Sequence, residues 1–182
     1  MQTLYLIRHT TPRIAPGICY GQLDTDVADS FAREAAGVLN QLPPVELIIA
    51  SPLLRAQRLA EHLAQQRRCT LLSDARLMEM HFGDWEGRAW NDIARGEIDA
   101  WAADTLNYAS PNGESAQQMT RRVQDALLDV MRLPQRHMAL VAHSGSIRAL
   151  LAQLSAIPLA HTLNWQIDFG AVIGVKLTNF RA

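Results

Sequence analysis

The chain has 182 residues, of which 48% are hydrophobic, and its formal net charge at pH 7 is −1. This length and composition are typical of one domain that buries a core without disulfides or structural metals. The nearly neutral charge excludes a nucleic-acid-binding protein that depends on a broad basic surface, although it is compatible with a local anion site. The two cysteines, Cys19 and Cys69, are too few for a disulfide framework, and a single bridge between them stays open.

No apolar run approaches the roughly 18 residues that a membrane-spanning helix needs. The apolar start of the chain is too short for a signal peptide and has no basic region. We therefore expect a cytoplasmic protein without membrane or nucleic-acid partners. No feature of the sequence indicates the oligomeric state.

Short apolar runs alternate with helical patterns from the start of the chain. Residues 4–7 predict a buried strand, and the prolines and glycines of residues 10–26 are typical of a loop. Apolar residues recur at helical spacing over residues 27–39, and the pair Pro43-Pro44 ends this predicted helix.

A second buried strand is predicted over residues 47–50. Ser51 and Pro52 then fit an N-cap followed by proline at the first helical position. Residues 69–88 predict a strand followed by an ordered loop, and residues 89–108 predict short helices.

The last third of the chain continues the alternation. Ser115 with Gln118 matches a capping box and predicts a helix through Val130. The elements predicted after it are a strand over residues 138–142, a helix over 145–154 and late strands over 167–169 and 172–177.

This order of elements predicts an α/β fold, a three-layer α/β/α sandwich with a mostly parallel central sheet. Because no repeat or linker divides the sequence, we expect residues 1–182 to form a single domain. In such sheets the functional crevice lies at the carboxyl ends of the strands. Three polar segments follow predicted strands, namely Arg8-His9, residues 51–55 and residues 143–145.

Arg8 and His9 are the first of these segments. A lone histidine near a strand end is more often structural or exposed, but the adjacent arginine points to an anion. Neighbouring strand residues face opposite sides, so the two side chains converge only if the chain turns at residues 10–12. In such a site a neutral imidazole can act as a nucleophile.

Arg55 and His143 each lie at the start of a predicted helix, where free amides and the helix dipole favour an anion. A cation such as Arg55 in a first turn is unfavourable unless an anion is bound nearby. The simpler alternatives are a capped helix with a solvent-facing arginine and an ordinary strand-to-helix turn at residues 143–145.

Residues 77–87 are dense in acids and aromatics, and one carboxylate there is a candidate proton donor to a leaving group. Two histidines, two arginines, two helix N-termini and a glutamate together suit phosphoryl transfer, which needs charge stabilisation and positioning.

These segments, in this order and spacing, resemble the signature of the histidine phosphatase superfamily, the phosphoglycerate mutase-like proteins. The matching segments are Leu6-Ile7-Arg8-His9-Thr10, Ser51-Pro52-Leu53-Leu54-Arg55-Ala56, residues 77–87 and Val141-Ala142-His143-Ser144-Gly145.

The resemblance implies that His9 is phosphorylated and that Arg8, Arg55 and His143 hold the phosphoryl oxygens. It implies that Glu79 gives a proton to the leaving oxygen and then takes one from water. It also implies that no metal or organic cofactor is needed.

Two positions depart from the family pattern. Thr10 replaces the usual glycine, and Pro12 stands where many members have a phosphate-contacting threonine. We therefore expect the hydroxyl of Thr10 or Thr11 to take over that contact.

Within the superfamily, residues 17–24, 82–87 and 111–115 are similar to α-ribazole phosphatases, which act in cobalamin synthesis. The resemblance implies a small phosphorylated metabolite as the partner. The expected substrate contacts beyond Thr10 and Thr11 are Cys19, Tyr20, Gly21, Ser144 and Gly145.

Residues 84–114 are expected to form a lid-like insertion over the pocket. The segment holds Trp85, Trp90, Trp101 and Tyr108. These rings either stack on a benzimidazole-like base or pack the lid onto the core.

Four alternatives to this phosphatase stay open at the level of the sequence. A phosphoglycerate mutase would be longer and more closed over its site, and a phosphohistidine-protein phosphatase would be smaller. A non-catalytic ligand-binding member would have lost one of the five catalytic candidates. A metal-dependent hydrolase would need tightly spaced ligands, which the six histidines do not supply.

Overall fold

A five-stranded sheet with the strand order β3-β2-β4-β1-β5 forms the centre of the computed structural model, which describes residues 2–177. The strands are β1 (Gln2–Arg8), β2 (Leu47–Ala50), β3 (Thr70–Ser73), β4 (His137–Ala142) and β5 (Val172–Leu177). The first four are parallel to one another, and β5 runs antiparallel to β1 at the edge. The predicted mostly parallel sheet is confirmed.

Two pairs of helices cover the two faces of this sheet. The helices are α1 (Phe31–Gln41), α2 (Leu54–Arg67), α3 (Arg95–Ala103), α4 (Ala116–Met131) and α5 (Ser144–Leu154). Alternate residues of β4 enter two separate apolar clusters: Met138 and Leu140 pack with α4 and α5, whereas Ala139 and Val141 pack with α1 and α2. The three-layer sandwich is therefore confirmed.

Local sequence signals explain where several elements begin. All residues of β4 from Met138 to Ala142 are buried, as a continuous apolar run predicts for a strand covered on both faces. At the start of α4, the Ser115 amide donates to Gln118 Oε1 at 2.7 Å, and the Gln118 amide donates to Ser115 Oγ at 3.2 Å. The predicted capping box is confirmed.

Two predicted helix starts were wrong. Helix α1 begins at Phe31, because Val27 pairs with Pro12 in an isolated bridge and its amide donates to the Asp26 carboxylate. Ser51 is not the N-cap of α2, which begins at Leu54. The Leu54 amide instead donates to Asp24 Oδ1 at 2.7 Å, so a distant loop caps this helix.

The strand predicted over residues 167–169 was also wrong. The Ile167 carbonyl accepts a hydrogen bond from the Arg8 guanidinium, and Phe169 with Gly170 forms a turn in which Gly170 has φ +72°. The Gly170 amide donates to the carbonyls of Arg8 and His9 at 3.2 Å, which ties this turn to the end of β1.

The segment over residues 84–114 contains α3, a short turn of 3₁₀-helix at Trp90–Asp92 and an aromatic cluster. The cluster contains Phe82, Trp85, Trp90, Trp101 and Tyr108. Trp85 is almost fully buried, and its indole N–H donates to Glu97 Oε2 at 2.6 Å. Because Phe82 also packs against the main apolar core, the cluster attaches the segment to that core. Over residues 2–177, no helix is long and apolar enough to cross a membrane.

Candidate active site

His9 follows the last residue of β1 and lies at the carboxyl edge of the sheet. Its side chain is buried, and its Nδ1 lies 2.7 Å from the carbonyl oxygen of Thr10. Because a carbonyl only accepts, the ring proton lies on Nδ1 and the lone pair on Nε2. Burial, followed by the positive charge of Arg55, lowers the pKa of His9 well below its usual value, and the bond to Thr10 offsets part of this. The neutral ring therefore has a lone pair on Nε2, and a neutral imidazole of this kind can act as a nucleophile.

His143 follows β4, and its ring centroid lies 5.0 Å from that of His9. Its Nε2 lies 2.8 Å from Ser51 Oγ, whereas its buried Nδ1 has no partner among the described residues. Burial, followed by the nearby His9 and the positive charge of Arg55, lowers the pKa of His143 well below its usual value. When the Ser51 hydroxyl donates to Nε2, the ring proton of neutral His143 lies on Nδ1, where it is available to an anion.

Arg55 lies in the first turn of α2, and its side chain is fully buried. Nη1 donates to the Leu23 carbonyl at 3.0 Å, and Nη2 donates to the Gly21 carbonyl at 2.6 Å. Burial lowers the pKa of this guanidinium, although nearby carboxylates, Glu79 first, act in the opposite direction. No carboxylate of the described residues forms an ion pair with Arg55 within 4.0 Å. A buried cation of this kind requires an anion for full compensation.

Contacts with the turn at residues 167–170 hold the Arg8 side chain in place. Its Nη1 donates to the Ile167 carbonyl at 2.5 Å, and its guanidinium carbon lies 3.8 Å from the ring centroid of Phe169. The same ring lies 5.5 Å from that of His9. The turn at residues 167–170 therefore orients both residues of the Arg8-His9 pair.

Four buried polar atoms on the two chain neighbours of His9, on Arg55 and on His143 have no partner within residues 2–177. They are Arg8 Nε, Thr10 Oγ1, Arg55 Nε and His143 Nδ1. Buried polar groups are normally paired, and a cluster of unpaired donors is completed by an anion with several oxygens, such as phosphate.

Glu79 lies on an irregular segment opposite the start of α5. Its Oε1 accepts from the Met80 amide at 2.9 Å, and its Oε2 accepts from the Gly145 amide at 3.0 Å. A Cβ at Gly145 would lie 2.3 Å from Glu79 Oε1, so a side chain at this position would displace the carboxylate. Ser144 and Gly145 thus lie between the imidazole of His143 and the carboxylate of Glu79.

A cavity of about 270 Å³ opens beside Glu79. Its walls are mainly apolar and come from the segment around Glu79, from α3 to α5 and from the chain that follows α5. The lining residues are Glu79, Met80, Phe82, Trp101, Thr105, Ala116, Met119, Ser144, Gly145, Arg148, Leu159 and Leu163.

Arg148 is the cation in this lining. Its Nε and Nη2 donate to the Trp165 carbonyl at 3.1 and 2.8 Å, and no hydrogen bond engages Nη1 within residues 2–177. Burial lowers the pKa of Arg148, and the charge of Glu79 opposes this effect.

Some predicted contact residues have other partners. Cys19 is buried against Trp85 and Ile93, and burial with the nearby charge of Glu86 raises the pKa of its thiol to about 12. The Thr11 amide and hydroxyl donate to Glu34 at 2.7 and 3.0 Å. These contacts give Cys19 a packing role and occupy the Thr11 hydroxyl.

Tyr20 and Gly21 lie beside Arg55 rather than along the cavity. The Tyr20 ring centroid is 5.0 Å from the guanidinium carbon, and Gly21 accepts through its carbonyl. The structure brings Thr10 to His9, and it brings Ser144 and Gly145 to the cavity wall.

Sequence reasoning missed four residues of this region. They are Ser51, the partner of His143; Phe169, beside Arg8; Arg122, next to the segment that carries Glu79; and Arg148, in the cavity. Ser51 stood within a recognised segment but was interpreted only as a cap. The two arginines are helical residues in a chain with many arginines, and nothing in the sequence distinguished them from surface cations.

The sequence and the fold match known proteins over nearly the whole chain. The model of the histidine phosphatase superfamily (branch 1) matches residues 4–181, and the chain belongs to this superfamily. It is accordingly a phosphatase of the histidine phosphatase type.

Its relatives bear different substrate names. The adenosylcobalamin/α-ribazole phosphatase of Salmonella typhimurium is 29% identical, over 92% of this chain and 86% of the relative. The glucosyl-3-phosphoglycerate phosphatase of Mycobacterium tuberculosis is 34% identical, over 80% and 70%. The crystal structure of the α-ribazole phosphatase from Shigella flexneri superposes with a TM-score of 0.90 at 25% identity, over 97% of this chain and 91% of that one.

Proposed function

We propose that this phosphatase hydrolyses a small phosphomonoester in the cytoplasm through a phosphohistidine at His9, without a metal ion or organic cofactor, and that its substrate is α-ribazole 5′-phosphate in cobalamin synthesis. The observation that carries the mechanism is the set of buried polar atoms without partners on Arg8, Thr10, Arg55 and His143, beside a neutral His9 whose Nδ1 contacts the Thr10 carbonyl.

In the first step, His9 Nε2 attacks phosphorus, and an N–P bond forms as the P–O bond to the leaving alcohol breaks. Protonated Glu79 gives its proton to the leaving oxygen. Arg8, Arg55 and the Nδ1–H of His143 hold the phosphoryl oxygens and stabilise the charge of the transition state.

In the second step, the Glu79 carboxylate takes a proton from a water molecule as that water attacks phosphorus. The N–P bond breaks, inorganic phosphate leaves, and His9 regains its lone pair. The same carboxyl group therefore acts first as acid and then as base.

The cavity supports the choice of alcohol. It adjoins Glu79, and Phe82, Trp101, Met119 and Leu163 give it flat and apolar walls. A benzimidazole base, which is flat and largely apolar, suits such walls. We further propose that residues 84–114 act as the lid of this pocket, since α3 contributes Trp101 to the lining.

Arg148 favours a second candidate. Its Nη1, which has no hydrogen-bond partner within residues 2–177, in a mainly apolar wall suits the carboxylate of a phosphorylated hydroxy acid. One relative is named for a phosphoglycerate derivative, which agrees with this possibility.

The test is phosphate release from α-ribazole 5′-phosphate and from 3-phosphoglycerate, with a chelator present and His9→Ala as the control. Efficient release from the first substrate that vanishes in His9→Ala would support the proposal. Release only from 3-phosphoglycerate would favour the second candidate, and isomerisation without release would indicate a mutase. Inhibition by the chelator would contradict the metal-independent mechanism.

The variant Arg148→Met separates the two candidates. If the substrate carries a carboxylate that pairs with Arg148, kcat/KM should fall about 10-fold to 100-fold, because a charged hydrogen bond contributes about 1.5–3 kcal/mol. If the substrate is α-ribazole 5′-phosphate, the change should stay below about threefold, since no second anion is present.

A further inference from the structure

Arg122, on the inner side of α4, binds the backbone of the segment that carries Glu79. Its Nη1 donates to the carbonyls of Arg76 and Met78 at 2.8 and 2.7 Å. Its Nη2 donates to the carbonyl of Glu79 itself at 2.9 Å. One guanidinium therefore contacts three carbonyls within four consecutive residues.

Glu114 extends this contact beyond Glu79. Arg122 Nε donates to Glu114 Oε2 at 3.1 Å, and Nη2 also contacts Oε1. Glu114 Oε1 in turn accepts from the His81 amide at 2.9 Å. The pair thus binds carbonyls on one side of the catalytic candidate and an amide on the other.

The segment from Met78 to Phe82 forms no helix or strand, so its backbone groups depend on partners elsewhere. The side chains of Arg122 and Glu114 are only 21% and 17% exposed, unlike the surface ion pair of Arg95 with Asp99 at 86% and 56%. A planar fork suits several carbonyls at fixed angles, which a lysine ammonium cannot reproduce.

Among the described residues, the Glu79 carboxylate accepts hydrogen bonds from the amides of Met80 and Gly145 alone, and its reach towards the leaving oxygen depends on where the backbone of residue 79 lies. A misplacement of about 1 Å in a reacting group costs about 10²-fold in rate. We infer that Arg122, together with Glu114, is a positioning residue that holds Glu79 at the distance required for proton transfer. This inference rests on the proposed role of Glu79.

The experiment compares two probes, 4-nitrophenyl phosphate and glycerol 1-phosphate, because only the alkyl ester needs a proton on its leaving oxygen. Arg122→Gln should lower kcat about 10²-fold on glycerol 1-phosphate and less than about threefold on 4-nitrophenyl phosphate. Arg121→Gln, which removes the exposed neighbouring arginine on α4, is the matched control and should change neither rate.

A double-mutant cycle with Glu79→Gln identifies the route of the effect. If Arg122 acts through Glu79, Arg122→Gln adds no further loss on glycerol 1-phosphate once Glu79 is replaced. Additive losses would overturn the inference, as would an equal loss on both probes. Should Arg122→Gln fail to fold, the same comparison with Arg122→Lys applies, and its expected loss on the alkyl ester is smaller.

The two hypotheses fail in different ways. If Glu79→Gln lowers both probes equally, the proposed role of Glu79 is wrong, and the inference about Arg122 falls with it. If Glu79→Gln is selective for the alkyl ester but Arg122→Gln is not, only the positioning role of Arg122 is wrong.

Discussion

The two ends of the candidate site are built in different ways. At the end that we propose binds the phosphoryl group, the phosphate end, His9, Arg55 and His143 follow the carboxyl ends of β1, β2 and β4, and all three side chains are buried. At the end that we propose binds the leaving alcohol, the leaving-group end, Glu79 and the cavity wall come from irregular segments and from α3 to α5, and several of these side chains are partly exposed.

This difference separates the residues that we propose perform the chemistry from those that we propose recognise the alcohol. The register of β1 with β4 and of β4 with β2 fixes the ends of these parallel strands. The side chains that follow the strand ends therefore cannot shift independently. The cavity wall has no such register, so its residues can be substituted one at a time. We expect variants at the phosphate end to affect every substrate alike, and variants at the other end to discriminate among substrates.

The largest effect is expected from His9→Ala. Without the nucleophile, kcat should fall at least about 10⁴-fold on all phosphomonoesters, because removal of a nucleophile in other enzymes costs up to about 10⁶-fold. Phosphate release and acid-labile labelling of the protein should disappear together, while circular dichroism confirms the fold. Activity that persists on any one ester would contradict the expectation that a variant at the phosphate end affects every substrate alike.

The next effect is expected from Arg55→Lys. The variant keeps a charge but loses the planar fork that binds Gly21 and Leu23, so kcat/KM should fall about 10³-fold, as for other arginines that stabilise phosphoryl transfer. The loss should be equal for 4-nitrophenyl phosphate and for alkyl esters. A loss confined to alkyl esters would assign Arg55 to the leaving-group end.

Glu79→Gln tests the other end. The substitution removes the acidic proton of the side chain but keeps its shape. The kcat on alkyl phosphates should therefore fall about 10²-fold to 10⁴-fold. 4-Nitrophenyl phosphate, whose leaving group needs no proton, should lose little. Steady-state kinetics on both esters measure the contrast, and equal losses would contradict the assignment of Glu79 as acid.

The smallest effect concerns pH and stability. His9 and His143 have pKa values in the folded protein that lie below the ordinary value. At a pH below about 6.5, the unfolded chain therefore binds more protons than the folded chain. The stability that their neutral burial contributes is present above that pH and is lost on acidification, by about 1.4 kcal/mol per pH unit for each histidine.

Denaturant unfolding at pH 7 and pH 5.5 would measure this slope. His143→Gln removes one of the two titrating groups and should make the slope smaller than in the wild-type protein. An identical slope in the variant would contradict the neutral burial of His143, and with it the electrostatic contrast between the two ends.

The sequence predicted the sheet and the phosphate end because both follow from local patterns. The apolar runs of β1, β2 and β4 and the polar residues after them are contiguous in the chain, and strand order brings them together. The start of α2 was misplaced because its cap, Asp24, lies 30 positions away in the chain. No local pattern reports such a partner.

The leaving-group end was less predictable for the same reason. Glu79 was found through a motif, but the contacts of Arg122 with residues 76–79 and the place of Arg148 in the cavity arise from helix packing. Cys19, predicted as a substrate contact, packs against Trp85 and Ile93, and its neighbours in the chain gave no sign of this packing.

Gly145 links the two ends through one helix start. The Gly145 amide donates a hydrogen bond to the Glu79 carboxylate. Because this glycine has no side chain, the carboxylate has room two residues after His143. The spacing between Glu79, the proposed proton donor, and His143, the proposed phosphate ligand, is thus set by a single peptide turn and does not depend on the rest of the cavity wall. In evolutionary terms, mutations that reshape the wall can alter which alcohol is accepted while the reaction geometry is inherited unchanged. A lineage with this arrangement is expected to diversify in substrate far more readily than in mechanism.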